Sequence, residues 1–333
     1  MSEPTLGVIA LGNALVDVIS HSTEEFITEQ KETHGMEKGA MTLIDEARAV
    51  ELYSLMGPGV ETSGGSAGNT MAGFASFGGK GALIAKVAED QLGEVFQHDI
   101  RSLGLQFDTQ PLAMGSATGR CLILVTPDAD RTMNTFLGAS SELSPDDIDP
   151  NLIASAQITY LEGYLFDREQ AKQAFVTAAM AAHNAGHRVA LTLSDPFCVD
   201  RHRHDFLGLV ENHVDILFAN EDEIKSLFMQ DNFDDAKNAV SKNVEIAVLT
   251  RGEKGAVIVS DGKEISVAAE PVDKIVDTTG AGDQFAAGFL YGFTESMDLE
   301  KCAKLGALAA AEVISHIGPR PEVKLADLLQ KAA

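Results

Sequence analysis

Short, largely apolar runs recur along the chain at 6–11, 82–87, 121–125, 158–161, 189–193, 216–219, 246–249 and 256–259. Their length, and the absence of an alternating polar face, predict strands buried on both sides. Between several of them lie stretches with apolar positions at helical spacing, such as 168–184, 222–229 and 234–241. Strands that take turns with helices predict an α/β fold, a mostly parallel sheet with helices on both faces. The last third holds two long, Ala-rich apolar segments, 284–293 and 299–316, expected as helices. Two segments, about 16–43 and 107–139, break the alternation, being polar with short β-like pieces and little helical period. Paired with each other, they would form a small sheet, a lid over the carboxyl edge of the main one. No repeat, low-complexity tract or linker intervenes, so residues 1–333 are expected as one domain carrying that lid.

Composition narrows function more than fold. A chain of 333 residues that is 45% hydrophobic supports a sizeable core. The formal net charge of −25 sets the surface against nucleic-acid phosphate and anionic lipid, so neither nucleic acid nor membrane is expected as a partner. It also means that a phosphate site must be built from local donors. Cys121, Cys198 and Cys302 are far apart, with no CxxC spacing, which disfavours disulfides and zinc and fits a reducing cytoplasm. No basic segment precedes the first apolar run, so no signal peptide is expected, and no apolar run approaches membrane-spanning length.

The densest chemistry lies in Val276-Asp277-Thr278-Thr279-Gly280-Ala281-Gly282-Asp283, just before the helical run 284–293. Gly280 and Gly282 let the backbone turn and approach a ligand without a Cβ in the way. The free amides of a helix start, with the helix dipole, form an anion site suited to a phosphoryl group in transfer. Asp283, in the first helical turn, would take the proton of an attacking hydroxyl, held ionised and weakly basic by that dipole. A bare Gly-Ala-Gly-Asp is equally a turn with a cap; the strand–turn–helix context favours the anion site. No GxxxxGK[ST] occurs, since Gly73 to Lys80 is wrongly spaced and Gly81 follows, and Phe285 spoils a GxGxxG beginning at Gly280.

The run Asp277–Asp283 resembles the C-terminal signature of the ribokinase/adenosine kinase family, the PfkB-type carbohydrate kinases. Ser63-Gly64-Gly65-Ser66-Ala67-Gly68-Asn69 resembles the N-terminal signature, and the likeness runs in order along nearly the whole chain. Within the family the details are most similar to the adenosine kinases. Asn13 and Asp17 stand four apart in Gly12-Asn13-Ala14-Leu15-Val16-Asp17, and Thr118-Gly119-Arg120-Cys121 and Asp130-Arg131 resemble lid segments. The runs 193–197 and 214–223 are also close to adenosine kinase sequence. The resemblance implies a Rossmann-like (ribokinase-like) core with a small β lid. It implies ATP as donor, Mg²⁺ as helper and a nucleoside 5′-hydroxyl as acceptor. Ribose, fructose, a keto-deoxy sugar acid or another nucleoside are the alternative acceptors, and a non-catalytic ligand-binding protein is the rival class.

The resemblance distributes roles over residues that local chemistry leaves open. Asn13 and Asp17 read either as a strand-end turn or as holders of vicinal ribose hydroxyls, and the resemblance favours the latter. Gly64, Gly65 and Asn69 would let the sugar approach and offer it an amide, while Ser66 would cap the following helix. Asn220 and Glu223 are a solvated acidic stretch or a nucleotide-side pair in which Glu223 meets Mg²⁺ directly or through water. Arg131 would clamp the migrating phosphate or pair with its acidic neighbours. Thr250, Gly252 and Gly255 belong to a hairpin-like loop that would touch ATP, together with the backbone of Thr279–Gly282. The segment 309–318, with His316, would flank the ATP adenine, and Asp277 and Thr279 could join a K⁺ site. Leu165 falls where some adenosine kinases place a stacking aromatic, which leaves Tyr164 or Phe166 for that task, and Arg120 is a bulky, charged departure. The sequence leaves monomer and homodimer both open.

Overall fold

The computed structural model describes residues 4–331 apart from Ala129. Thirteen strands follow in chain order among these residues: β1 Leu6–Leu11, β2 Leu15–His21, β3 Met41–Leu43, β4 Gly59–Gly64, β5 Gly81–Ile84, β6 Gly119–Val125, β7 Arg131–Phe136, β8 Ala156–Glu162, β9 Arg188–Thr192, β10 Ile216–Asn220, β11 Ile246–Thr250, β12 Ala256–Ser260 and β13 Lys263–Val267. Eight form the main sheet in the order β13-β12-β11-β10-β9-β8-β1-β5. From β5 to β11 every pairing is parallel, and β12 and β13 close one edge as antiparallel hairpins.

Both faces of this sheet are dry, which explains the apolar runs. Along β1, Ile9 and Leu11 enter one core layer with Phe175 and Phe206 of the helices Glu169–Asn184 and Pro196–His213. Val8 and Ala10 enter the opposite layer with Phe74, Phe285 and Phe289 of Ser66–Ser76 and Ala281–Thr294. The expected run 82–87 pairs only as far as Ile84, and the polar edge strand β13 carries no apolar run to announce it. The expected helix 299–316 ends at Val313.

The smaller sheet has the order β3-β7-β6-β2-β4. It draws on the expected segments 16–43 and 107–139 and also on β4, which lies outside both. The apolar run at 121–125 belongs here, not in the main sheet. Residues Glu24–His34, expected to lack helical order, form a helix capped by the Thr23 hydroxyl and ended by Gly35 at φ 70°. Ile27 is its one buried apolar residue, so its periodicity is too thin to read from sequence. Packed with Leu52 of Glu46–Leu55, it covers Val18, Leu122 and Leu124 on one face of the sheet.

Candidate active site

A cleft of about 1050 Å³ opens between the carboxyl ends of the parallel strands and the free face of the smaller sheet. Ligands of open α/β sheets bind at that edge, where strand ends meet helix starts.

Gly280 takes the left-handed conformation, φ 80°, and caps the helix Ala281–Thr294 without a side-chain bond. A Cβ there would come within 2.6 Å of the Pro319 backbone, so glycine is required. Gly282 has nothing within 4 Å of a built Cβ, although it lines the cleft. The open space above it fits a ligand approaching the backbone. The donor set differs from expectation: the Thr279 amide is taken by Asp277 Oδ1 and the Ala281 amide by the Thr278 carbonyl. Among the described residues no protein group accepts from the amides of Gly280, Gly282 or Asp283. The amides left open to an anion are therefore fewer than expected and shifted toward Asp283.

Asp283 is held across the cleft floor. The Ser66 hydroxyl donates to its Oδ1 at 2.6 Å and the Asn69 amide to its Oδ2 at 3.3 Å. Ser66 is thus not a helix cap; Gly65, at φ 85°, holds that position. The helix dipole was expected to keep Asp283 weakly basic. Instead, burial pushes the carboxyl up to about 6, outweighing Ser66, Asn69 and the Arg320 charge.

The two residues expected to hold a diol differ in freedom. Asn13 is buried; its Nδ2 donates to Glu162 Oε1 at 2.8 Å, and its Oδ1 accepts from the Ser140 hydroxyl at 2.9 Å. Asp17 accepts no protein hydrogen bond among the described residues and lines the cleft, and burial pushes it up to about 6 as well. Gly64 does not line the cleft; a Cβ there would sit 2.5 Å from Asp17 Oδ2, so it makes room for that carboxylate. Gly65 lines the cleft against the Asn13 carbonyl, 2.3 Å from a built Cβ. Asn69 is fixed on both sides, by Asp283 and by the Arg320 Nε, which donates to its Oδ1 at 3.2 Å.

At the far end Asn220 and Glu223 form a reciprocal capping box on the helix Glu221–Phe228. Both Glu223 oxygens accept from Asn220, and burial with nearby Asp195 and Asp222 lifts the carboxyl to about 7. Among the described residues there is no group of three or more ligands able to cage a metal. One buried, cleft-lining carboxylate with a raised pKa fits Mg²⁺ held largely by water and substrate phosphates. Thr250 and Gly252 line the cleft, whereas Gly255 shapes the β11–β12 turn, 2.0 Å from the Val267 carbonyl at a built Cβ.

Arg131 reaches from β7 across to Asp277, Nη1 to Oδ2 at 2.9 Å, while its Nη2 is shut from solvent without a partner. Asp277 Oδ2 also accepts the Gly318 amide. With Arg131 in this position, the Asp277 carboxylate is occupied by two amides and a guanidinium. His316 bonds Glu312 in the loop beyond.

Of the aromatic candidates, Tyr164 lines the cleft, and Phe166 is buried, stacked on Phe206 at 4.4 Å between centroids. Phe197, 76% exposed, also lines the cleft. Arg120 alternates with Gly119 and Cys121 and falls on the face opposite the cleft. Sequence reasoning missed Glu162, Ser66 and Arg320. Glu162 grips the Asn13 and Ala67 backbone amides at 3.2 and 2.7 Å, and burial lifts it to about 7. Glu162 and Arg320 were lone polar residues outside the motifs, and Ser66 lay inside one but was expected as a helix cap.

Comparison with known proteins follows this geometry. The family model described as "pfkB family carbohydrate kinase" matches residues 40–324. The adenosine kinase of Saccharomyces cerevisiae is 28% identical over 95% of this chain and 96% of its own length. A solved adenosine kinase from Sinorhizobium meliloti superposes with a TM-score of 0.90 at 49% identity, covering 98% of this chain and 99% of that one. A solved probable sugar kinase from Rhizobium etli gives 0.91 at 47%, covering 99% of both chains.

Proposed function

The chain belongs to the pfkB family of carbohydrate kinases, ATP-dependent phosphotransferases acting on a hydroxyl, and from that premise we propose adenosine as its acceptor, phosphorylated at the 5′-hydroxyl. The observation that carries this reading is the cleft-facing side of the smaller sheet. Register places Asp17, Cys121, Thr135 and Leu43 in one row and Ile19, Ile123, Met133 and Met41 in the next. These residues line the cleft. One free carboxylate beside an apolar wall suits a ribose that carries a flat base. A bare sugar would leave that wall wet. The carboxylates of Asp17, Glu162 and Asp283 disfavour a sugar acid.

In this mechanism Asp17 accepts from the ribose diol while Gly65 admits the sugar. Asn13 shapes the pocket through Glu162, and Asn69 orients Asp283. Asp283 takes the 5′-hydroxyl proton as the new O–P bond forms and the bond from the γ-phosphorus to the bridging oxygen breaks, releasing ADP. The amides of Gly280, Gly282 and Asp283 stabilise the equatorial oxygens. Arg131, with one Nη already unpartnered, turns from Asp277 to the phosphate. Glu223 is the residue that would hold Mg²⁺, which supplies charge neutralisation for the phosphates when bound. Asn220, Thr250 and Gly252 flank the nucleotide.

The test is a panel of adenosine, other nucleosides, ribose, fructose and a keto-deoxy sugar acid, read as ADP formed. Adenosine should give the highest kcat/KM. A higher value for a free sugar would refute the acceptor, and binding without ADP formation would refute catalysis.

A further inference from the structure

We propose that Arg320 is a positioning residue for phosphoryl transfer, fixing the Asn69 amide and holding Asp283 in the ionised form. This rests on the reading of Asp283 as base. Arg320 sits in a loop tied to the anion cradle, since the buried Gln284 side chain donates to the Pro319 carbonyl and Gly280 packs on Pro319. Its Nε donates to Asn69 Oδ1 at 3.2 Å and its Nη1 to the Ser63 hydroxyl at 2.8 Å. Its Nη2 is shut from solvent and without a partner among the described residues.

Orientation is the first consequence. An Asn side chain has one accepting and one donating end. With Oδ1 committed to Arg320, Nδ2 must face Asp283 Oδ2. Without the guanidinium, the amide is free to turn and set oxygen against carboxylate.

Charge is the second. Arg320 touches no carboxylate directly, yet Asp17, Asp99 and Asp283 all face it. The groups facing Asp283 are Ser66 and Asn69 from the helix Ser66–Ser76, Tyr160, Glu162 and Tyr164 from β8 and the turn after it, and Arg320. Of these, the phenols and the Glu162 carboxyl add no positive charge, and Arg320 is the cation. Removing it leaves the buried carboxylate harder to ionise, so activity that needs the anion is lost at a higher pH.

The experiment compares Arg320→Gln and Arg320→Lys with the unaltered full chain, recording kcat from pH 5 to 9 with thermal unfolding as a fold control. ATP titrates identically in all three, so any difference belongs to the protein. Arg320→Gln should move the acid limb of kcat up by about half to one pH unit and lower kcat near neutrality about tenfold. Arg320→Lys should keep the limb and still lose kcat, because an ammonium lacks the fork that holds Asn69 and Ser63. An unmoved limb in a folded Arg320→Gln overturns the proposal. Should that variant not fold, Arg320→Lys decides, since a displaced limb there overturns it. Asp283→Asn separates the levels. If it turns over normally, the reading of the site falls; if it is inactive while the Arg320→Gln limb stays put, the Arg320 assignment alone falls.

Discussion

Asp283→Asn should inactivate the protein and stabilise it at the same time. Burial lifts the Asp283 carboxyl from its ordinary 3.8 to about 6. At ~1.4 kcal/mol per pKa unit, that gap corresponds to ~3 kcal/mol held against the ionised folded state. A folded pKa above the unfolded one means that the native chain binds the proton more tightly. Stability is then highest below the unfolded value, declines between roughly pH 4 and 6, and carries the full cost above. Asparagine has the same shape and no charge. Its oxygen can keep the Asn69 amide, and its nitrogen can face Ser66, whose hydroxyl rotates to accept. The variant should therefore gain up to ~3 kcal/mol at pH 8 and about half of that at pH 5. Without a base, kcat should fall ~10²–10⁴-fold with acceptor KM within a few-fold. Urea unfolding at the two pH values, beside steady-state kinetics, measures both. A destabilised variant at pH 8, or an equal gain at pH 5 and 8, would refute the burial argument. Near-normal turnover would remove Asp283 from the chemistry.

Three further outcomes follow from the same geometry. The kcat/KM of the unaltered protein should fall steeply as the pH drops through about 6, where Asp283 and Asp17 both take up protons in the ligand-free chain; a kcat/KM flat down to pH 5 contradicts this. Gly280→Ala places a Cβ 2.6 Å from the Pro319 backbone at a φ of 80°, costing ~1–3 kcal/mol of strain, and should lower kcat at least tenfold, with unchanged turnover counting against the cradle. Glu223→Gln should raise the Mg²⁺ concentration needed for half-maximal rate several-fold while leaving acceptor KM alone, read by Mg²⁺ titration at fixed ATP; an unmoved midpoint would leave Glu223 a helix cap only.

By itself the chain determined the central strands of its main sheet and the glycine-rich turn before the helix Ala281–Thr294. The apolar runs of β1, β8, β9, β10 and β11 were legible because strands buried on both faces carry few polar positions to blur them. Gly280 and Asp283 were legible because a turn, a helix start and a carboxylate are adjacent in sequence. Only the tertiary structure decided which amides are free, since the claims of Asp277 on Thr279 and of Thr278 on Ala281 depend on loop geometry. It raised the Asp283 carboxyl, because burial is made by folding and outweighs the hydrogen bonds from Ser66 and Asn69, more than 200 positions away, whereas the local dipole argument pointed the other way. It also separated Tyr164 from Phe166 and brought Arg320 to Asn69. Periodicity and adjacency are local properties of a chain; burial and charge pairing are properties of what folding brings together.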